Sequence, residues 1–330
     1  MTETLFATLK TVALLLFYMT IGYIVGKKKI AGEKAAKTLA AILTFVIMPF
    51  YSVFNMSRTV TVDKISLYLE LFIGGVAVSA ISLIVSFPLS KLFYKKGYSR
   101  NIYLYLLLVP NLGYFGYPLV QAVFGDEMLV MYMIFTLPLS VLINTFGYMI
   151  LTDKNADADA ADGAAETVSA SERRKDMIKR LFSVPMIATF VGLAIGLLPI
   201  ELPNIAYEFL QPAADCMRAV AMLLAGLVLS QLTVKAMFTS EKSYFISVFR
   251  LILLPLIFGG LAYLGYRLGL SKEIFIFTVC LTALPAGLNV VVFPEAIGMS
   301  GKEGAQACFI SYIGAVVTLP LILAAVIALI

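Results

Sequence analysis

Ten long apolar runs separated by short polar joints dominate this sequence and decide what it can fold into. The runs cover residues 5–26, 34–56, 65–92, 101–123, 126–151, 181–199, 205–233, 243–268, 272–297 and 303–329. Each is long enough to cross a hydrocarbon layer of ~30 Å, for which a helix needs ~20 apolar residues. Of the 330 residues 61% are apolar and only 14% are charged, against roughly 25% in a soluble domain. The pattern predicts an all-α membrane protein with ten transmembrane helices.

The composition also excludes several classes of function. The chain has no histidine, so the usual zinc or haem ligand and the usual general base near neutral pH are both missing. Cys216, Cys280 and Cys308 stand singly in apolar stretches, which is typical of small core residues. We therefore expect no enzyme activity, no metal site and no cofactor. The net charge of +5 is attributed to cytoplasmic loops and not to nucleic-acid binding.

The distribution of charge predicts the orientation in the membrane. Lysine and arginine are concentrated in the first, third, fifth, seventh and ninth joints, as in Lys27-Lys28-Lys29. The positive-inside rule places these joints in the cytoplasm and both termini on the outer side of the plasma membrane. The longest joint, 152–176, alternates alanine with aspartate and is expected to be a flexible cytoplasmic linker. It separates residues 1–151 from residues 177–330, with five predicted spans on each side.

An odd number of spans in each half gives the two halves opposite orientations, which is a common transporter architecture of inverted repeats. The fourth span contains VPNLGYFGYPLVQAVFG (109–125) and the ninth contains LPAGLNVVVFPEAIG (284–298). Each has two prolines, an asparagine and glycine inside an otherwise apolar helix. Proline breaks or kinks a helix, and unwound backbone is tolerated at membrane depth only inside protein or beside a wet cavity. The two motifs predict broken helices that cross near the middle of the bilayer, although ordinary proline kinks are the alternative.

Such a crossing would bind an anion. Each helix that starts after a break has free N–H groups and about half a positive charge at its N-terminus, and the Asn111 and Asn289 amides stand beside the two starts. The predicted substrate-binding residues are Pro110, Asn111, Gly113, Tyr114, Pro118, Pro285, Gly287 and Asn289. This site would contain no fixed lysine or arginine. Separately, Arg250 is expected to extend toward the membrane interface. The site suits a carboxylate that must be released after binding.

Three ionisable side chains inside spans are candidate coupling residues. Asp215 and Arg218 lie three residues apart on one helical face and form either a mutual ion pair or a coupled switch. Glu295 follows Pro294 and either carries a coupling proton or cation or faces a cytoplasmic vestibule. Gly192 and Gly196 form a GxxxG pattern, which predicts close helix packing in the sixth span.

These motifs carry a family resemblance. The fourth-span motif resembles that of the auxin efflux carrier family, which includes plant PIN proteins and bacterial malate and malonate permeases. The ninth-span motif resembles the ninth span of that family. Its second span is similar to IMPFYSVFNM (47–56), and its seventh span is similar to ADCMRAVAMLLAGLVLSQL (214–232). The resemblance implies two inverted five-helix repeats on a sodium/proton-antiporter-like or bile-acid-transporter-like fold, with elevator-like alternating access.

The resemblance also implies small organic anions as substrates, such as auxin-like indole acids or dicarboxylates. By position, Asn111 with Pro110 and Pro118 matches the substrate site of the family, and Pro285 with Asn289 matches its ninth-span crossover. The second proline of the ninth span falls later than in plant members, and the short linker looks bacterial. The lipid bilayer is the expected surrounding, and a second copy of the chain is a candidate partner.

Two other hypotheses remain open at this point. A cation/proton antiporter or sodium-coupled symporter on a related fold needs a buried acid beside the crossing, and Glu295 is the candidate. A non-transporting membrane sensor predicts that alanine at Asn111 and Asn289 leaves the phenotype intact.

Overall fold

The computed structural model of the chain describes residues 2–32, 34–153, 156, 182–198, 202–231 and 237–330. The regular elements in these ranges are helices. In chain order they are α1 (Thr2–Lys27), α2 (Ala35–Thr59), α3 (Val62–Phe93), α4 (Tyr98–Leu108), α5 (Tyr117–Phe124), α6 (Asp126–Leu151), α7 (Val184–Leu197), α8 (Asn204–Ser230), α9 (Glu241–Arg267), α10 (Lys272–Ala283), α11 (Asn289–Ala296) and α12 (Lys302–Leu329).

The long helices follow the apolar runs of the sequence. Within the described ranges, seven helices (α1, α2, α3, α6, α8, α9 and α12) are long and apolar enough to cross a membrane. The sixth run contains the shorter helix α7, and the fourth and ninth runs are each divided into two helices. The chain is therefore a helical, multi-pass membrane protein, whereas the ten-span inverted repeat stays a prediction. The predicted linker 152–176 lies almost entirely outside the described residues.

Prolines widen several of these helices without ending them. A proline has no N–H and its ring crowds the carbonyl of the preceding turn, so a wider π-helical turn relieves the contact. Three π-helical turns, Leu43–Ile47, Leu112–Gly116 and Phe249–Leu253, end two residues before Pro49, Pro118 and Pro255. Pro88, Pro138 and Pro320 lie inside uninterrupted helical segments. Pro294 also lies inside a helix, α11, so the sequence-based view of it as a second breaker is wrong.

The helices pack in two groups. The first group contains α1, α2, α7 and α8, in which α1 packs along α8, α8 along α2 and α2 along α7. The second group contains α3 to α6 and α9 to α12, in which α3 packs on α4 and α6, and α9 packs on α10 and α12. The groups meet where α1 contacts α5 and α12 and where α2 contacts α6. Each group thus combines helices from both halves of the sequence.

Glycines allow the closest helix contacts of the first group. A Cβ atom on Gly226 of α8 would lie 2.0 Å from the carbonyl oxygen of Met19 in α1. A Cβ atom on Gly196 of α7 would lie 2.6 Å from Cβ of Val60, beside the end of α2. Both distances are far below van der Waals contact, so only glycine lets these backbones approach. The close packing predicted from Gly192 and Gly196 is confirmed.

Candidate functional site

The fourth and ninth apolar runs are interrupted at their first prolines. Helix α4 ends at Leu108, and Val109, before Pro110, has extended backbone angles (φ −109°, ψ 111°). Helix α10 ends at Ala283, and Leu284, before Pro285, is also extended (φ −64°, ψ 148°). A proline disfavours the helical conformation of the residue before it, which explains why both helices end at this point. Helical structure resumes at Leu112 after the first break and at Asn289 after the second.

The two breaks lie against each other and satisfy each other's backbone groups. The Asn111 N–H donates to the Pro285 carbonyl at 2.8 Å, and the Gly287 N–H donates to the Val109 carbonyl at 3.1 Å. These bonds form a short antiparallel bridge between Pro110 and Ala286. Unpaired backbone groups are costly at membrane depth, and this pairing removes that cost. A Cβ atom on Gly287 would lie 3.0 Å from the Pro110 oxygen, so the close approach favours glycine.

The two asparagines occupy different environments beside the paired breaks. Asn111 is buried, and its amide donates a hydrogen bond to the hydroxyl group of Tyr312 in α12. Asn289 is partly exposed, and its Oδ1 atom is buried without a hydrogen-bond partner among the described residues. The side-chain nitrogen of Asn111 is therefore already engaged, whereas the Asn289 amide oxygen is unpaired. Sequence reasoning treated the two amides as equivalent and missed Tyr312.

Of the other predicted residues near the first break, only one is accessible. Gly113 is partly exposed, and a Cβ atom there would lie 2.9 Å from the Met48 methyl group of α2. Tyr114 and Pro118 are buried. The first helical turn after the break thus faces the first group of helices through a glycine.

Arg250 of α9 is a further residue at the breaks. It is only 3% exposed. Its Nη1 donates to the Leu107 carbonyl at 2.7 Å, and its Nε donates to the Leu284 carbonyl at 3.2 Å. The Leu107 carbonyl needs a donor because the Asn111 N–H, its partner in a continuous helix, bonds to Pro285 instead.

The expectation that Arg250 extends to the membrane interface is therefore wrong. The signal was present in the sequence, since an arginine within an apolar span is a functional candidate by default. What the sequence lacked was the direction of the side chain.

A cavity of about 270 Å³ opens between α1, α2, α5 and α8, where the two groups of helices meet. Its lining includes Pro118 and Gln121 of α5 and Tyr51 and Asn55 of α2. The Tyr51 hydroxyl donates to Gln121 Oε1 at 3.0 Å, and Gln121 Nε2 donates to Asp126 at 2.8 Å. The first bond connects α2 of the first group with α5 of the second, and the second bond joins α5 to the start of α6. None of them was predicted from the sequence.

The three predicted coupling residues are not brought to one place. Asp215 and Arg218 both line the same cavity, with Asp215 exposed and Arg218 partly buried. The ion pair found among the described residues joins Lys64 to Glu127, so the mutual ion pair, one of the two hypotheses for Asp215 and Arg218, is wrong. Glu295 lies within hydrogen-bonding reach of Gln231 at the end of α8.

Comparisons with known proteins agree with this architecture. A family model described as membrane transport protein matches residues 7–323. The chain is 22% identical over 317 residues to a protein named Uncharacterized transporter YfdV from Escherichia coli strain K12, and the match covers 92% of each chain. Proteins of the same name from Escherichia coli O157:H7 and Shigella flexneri match with the same identity and coverage. With a family match over nearly its whole length, the chain belongs to the membrane transport protein family, that of the auxin efflux carriers.

Proposed function

We propose that this protein is a secondary transporter of small organic anions, with the substrate bound beside the paired breaks. The observation that carries this proposal is the pairing of residues 109–111 with residues 285–287, because it brings two helix starts together. The helical segments that begin at Leu112 and Asn289 follow directly from the two breaks. Each start has a partial positive charge of about half an elementary charge and free N–H groups, which favour a carboxylate.

The packing supports an inverted repeat of five spans. A shift of five spans converts the contact of α1 with α8 into the contact of α7 with α2. The same shift converts α3 on α6 into α9 on α12, and α3 on α4 into α9 on α10. This correspondence is expected of two repeats with the same internal packing, so we infer the ten-span arrangement of residues 1–151 and 177–330.

The two groups of helices suggest how the substrate moves. The breaks belong entirely to the second group, whereas the cavity between α1, α2, α5 and α8 lies at the junction of the groups. If the second group of helices slides along the first group, the breaks become accessible from one side of the membrane at a time. We therefore infer elevator-like alternating access. From the charge distribution in the sequence we also infer a plasma-membrane location with both termini outside. The homodimer expected from the sequence stays a prediction.

Uptake into proteoliposomes tests the proposal. The purified protein is reconstituted and supplied with labelled indole-3-acetate or malonate, and uptake is compared with that of empty liposomes. Asn289→Ala should lower uptake because it removes the amide N–H donors beside the second helix start. Asn204→Ala, at the exposed first residue of α8, is the matched control and should transport normally.

The outcome separates the candidate functions. No uptake above empty liposomes for either compound, in either direction, contradicts organic-anion transport. If a sodium gradient drives transport and Glu295→Gln abolishes that transport, the cation-coupled alternative is favoured instead. A normal phenotype after alanine replacement of Asn289 together with Asn111 would favour the sensor.

A further inference from the structure

Arg250 is a buried cation, and no buried carboxylate among the described residues forms an ion pair with it. The hydrogen bonds of its guanidinium group go to two backbone carbonyls, those of Leu107 and Leu284, and the described part of the chain places no carboxylate in a salt bridge with it. Removing a charge from water costs several kcal/mol unless something compensates it. The compensation must therefore come from the backbone.

The two carbonyls mark the C-terminal ends of α4 and α10, which contain 11 and 12 residues. A helix C-terminus carries about half a negative charge. Two such ends at one guanidinium group amount to about one negative charge, which matches the positive charge of arginine. The arginine and the two helix ends are thus close to neutral as a unit.

This neutrality leaves the opposite helix ends uncompensated. The helical segments that start at Leu112 and Asn289 present N-termini of about +0.5 each. Without Arg250, the two negative ends would lie next to these two positive ends and cancel their field. With Arg250, about one net positive charge remains beside the paired breaks.

We propose that Arg250 is the positioning residue that fixes the net charge of the substrate site, so that the paired breaks take a ligand presenting one carboxylate. The inference rests on the proposed function and deepens it by naming the charge of the group that is bound. Arg250 acts through the two helix ends and does not touch the substrate.

The space around Arg250 excludes direct binding of a substrate to it. The cavity that it lines has a volume of about 10 Å³ and also contacts Ser82, Ser86 and Thr282. That volume holds about one water molecule. A carboxylate-bearing ligand does not fit.

Two substitutions separate charge from hydrogen bonding. Arg250→Lys keeps the positive charge but changes the donor geometry, whereas Arg250→Gln keeps an amide donor and loses the charge. Binding is measured by the thermal shift of the full-length purified protein with indole-3-acetate and with malonamate, which each present one carboxylate, and with the primary amide of each. We expect Arg250→Lys to retain affinity within about threefold and Arg250→Gln to lose about tenfold or more, which is about 1.4 kcal/mol.

The results distinguish the inference from the function beneath it. Carboxylate binding by the wild type with equal affinities in Arg250→Lys and Arg250→Gln would overturn the role of charge and leave the anion site intact. No preference of the wild type for either carboxylate over its amide would contradict the anion site itself. If Arg250→Gln does not fold, Arg250→Lys still decides, since a fall of about tenfold in its preference for carboxylate over amide would refute the proposal.

Discussion

Substitution of Gly226 by alanine is expected to destabilise the contact between α1 and α8. The new Cβ atom would lie 2.0 Å from the Met19 oxygen and 2.5 Å from the Tyr23 nitrogen. Ordinary contacts between such atoms are about 3.5–4.0 Å, so the two helices must separate locally by more than ~1 Å. Both obstacles are backbone atoms, and no side-chain rotation can relieve them.

The magnitude follows from the cost of overpacking. Inserted methyl groups cost about 1–3 kcal/mol where side chains can adapt, and we place Gly226→Ala near the upper end because backbone must move. The apparent melting midpoint should fall by ~5 °C or more at a fixed scan rate. The assay is thermal unfolding of the detergent-purified protein, followed by the loss of its monodisperse peak.

A matched control exists in α9. Gly260 lies in a helix, and a Cβ atom there would have no atom within 4 Å. Gly260→Ala should leave the midpoint unchanged or raise it slightly, because alanine is the better helix former. If Gly226→Ala and Gly260→Ala have the same melting midpoint, the backbones of α1 and α8 are not in close contact and the prediction is refuted. Gly22→Ala combined with Gly226→Ala should cost less than the sum of the two, since the first separation relieves the second.

Three further predictions concern the breaks and the surface. Gly287→Val should reduce uptake and lower the melting midpoint, because a Cβ atom would lie only 3.0 Å from the carbonyl oxygen of the first break; normal values of both would contradict the close approach. Tyr312→Phe should destabilise the protein by about 1–3 kcal/mol in a denaturant or thermal assay, since it leaves the buried Asn111 amide without its acceptor. Glu127→Gln breaks the exposed ion pair with Lys64 and should change stability by less than ~1 kcal/mol, so a larger loss would show that the pair is not a surface contact.

The helix breaks could be located from the sequence because their cause is local. Pro110 and Pro285 lack the N–H that a helix needs, and each one restricts the residue before it. The second prolines were harder to interpret. Pro118 follows a π-helical turn, and Pro294 lies inside α11. A widened turn or the packing of neighbouring residues can accommodate a proline, so the helix continues past it.

Side-chain partners could not be read from spacing. Asp215 and Arg218 are three residues apart on one helix, yet both face a cavity and do not pair. Arg250 was assigned to the membrane interface because long basic side chains usually extend there. Its actual partners belong to residues 107 and 284, which only the fold brings near it.

The sequence by itself determined that this chain is a helical membrane protein and where its helices stop, because hydropathy and proline act within a few residues. Only the tertiary structure decided that the two stops meet, that an arginine joins two helix ends and that the Asn111 amide donates to Tyr312 while Oδ1 of Asn289 has no partner among the described residues. Those outcomes depend on contacts between residues far apart in the chain, and such contacts are set by the packing of whole helices.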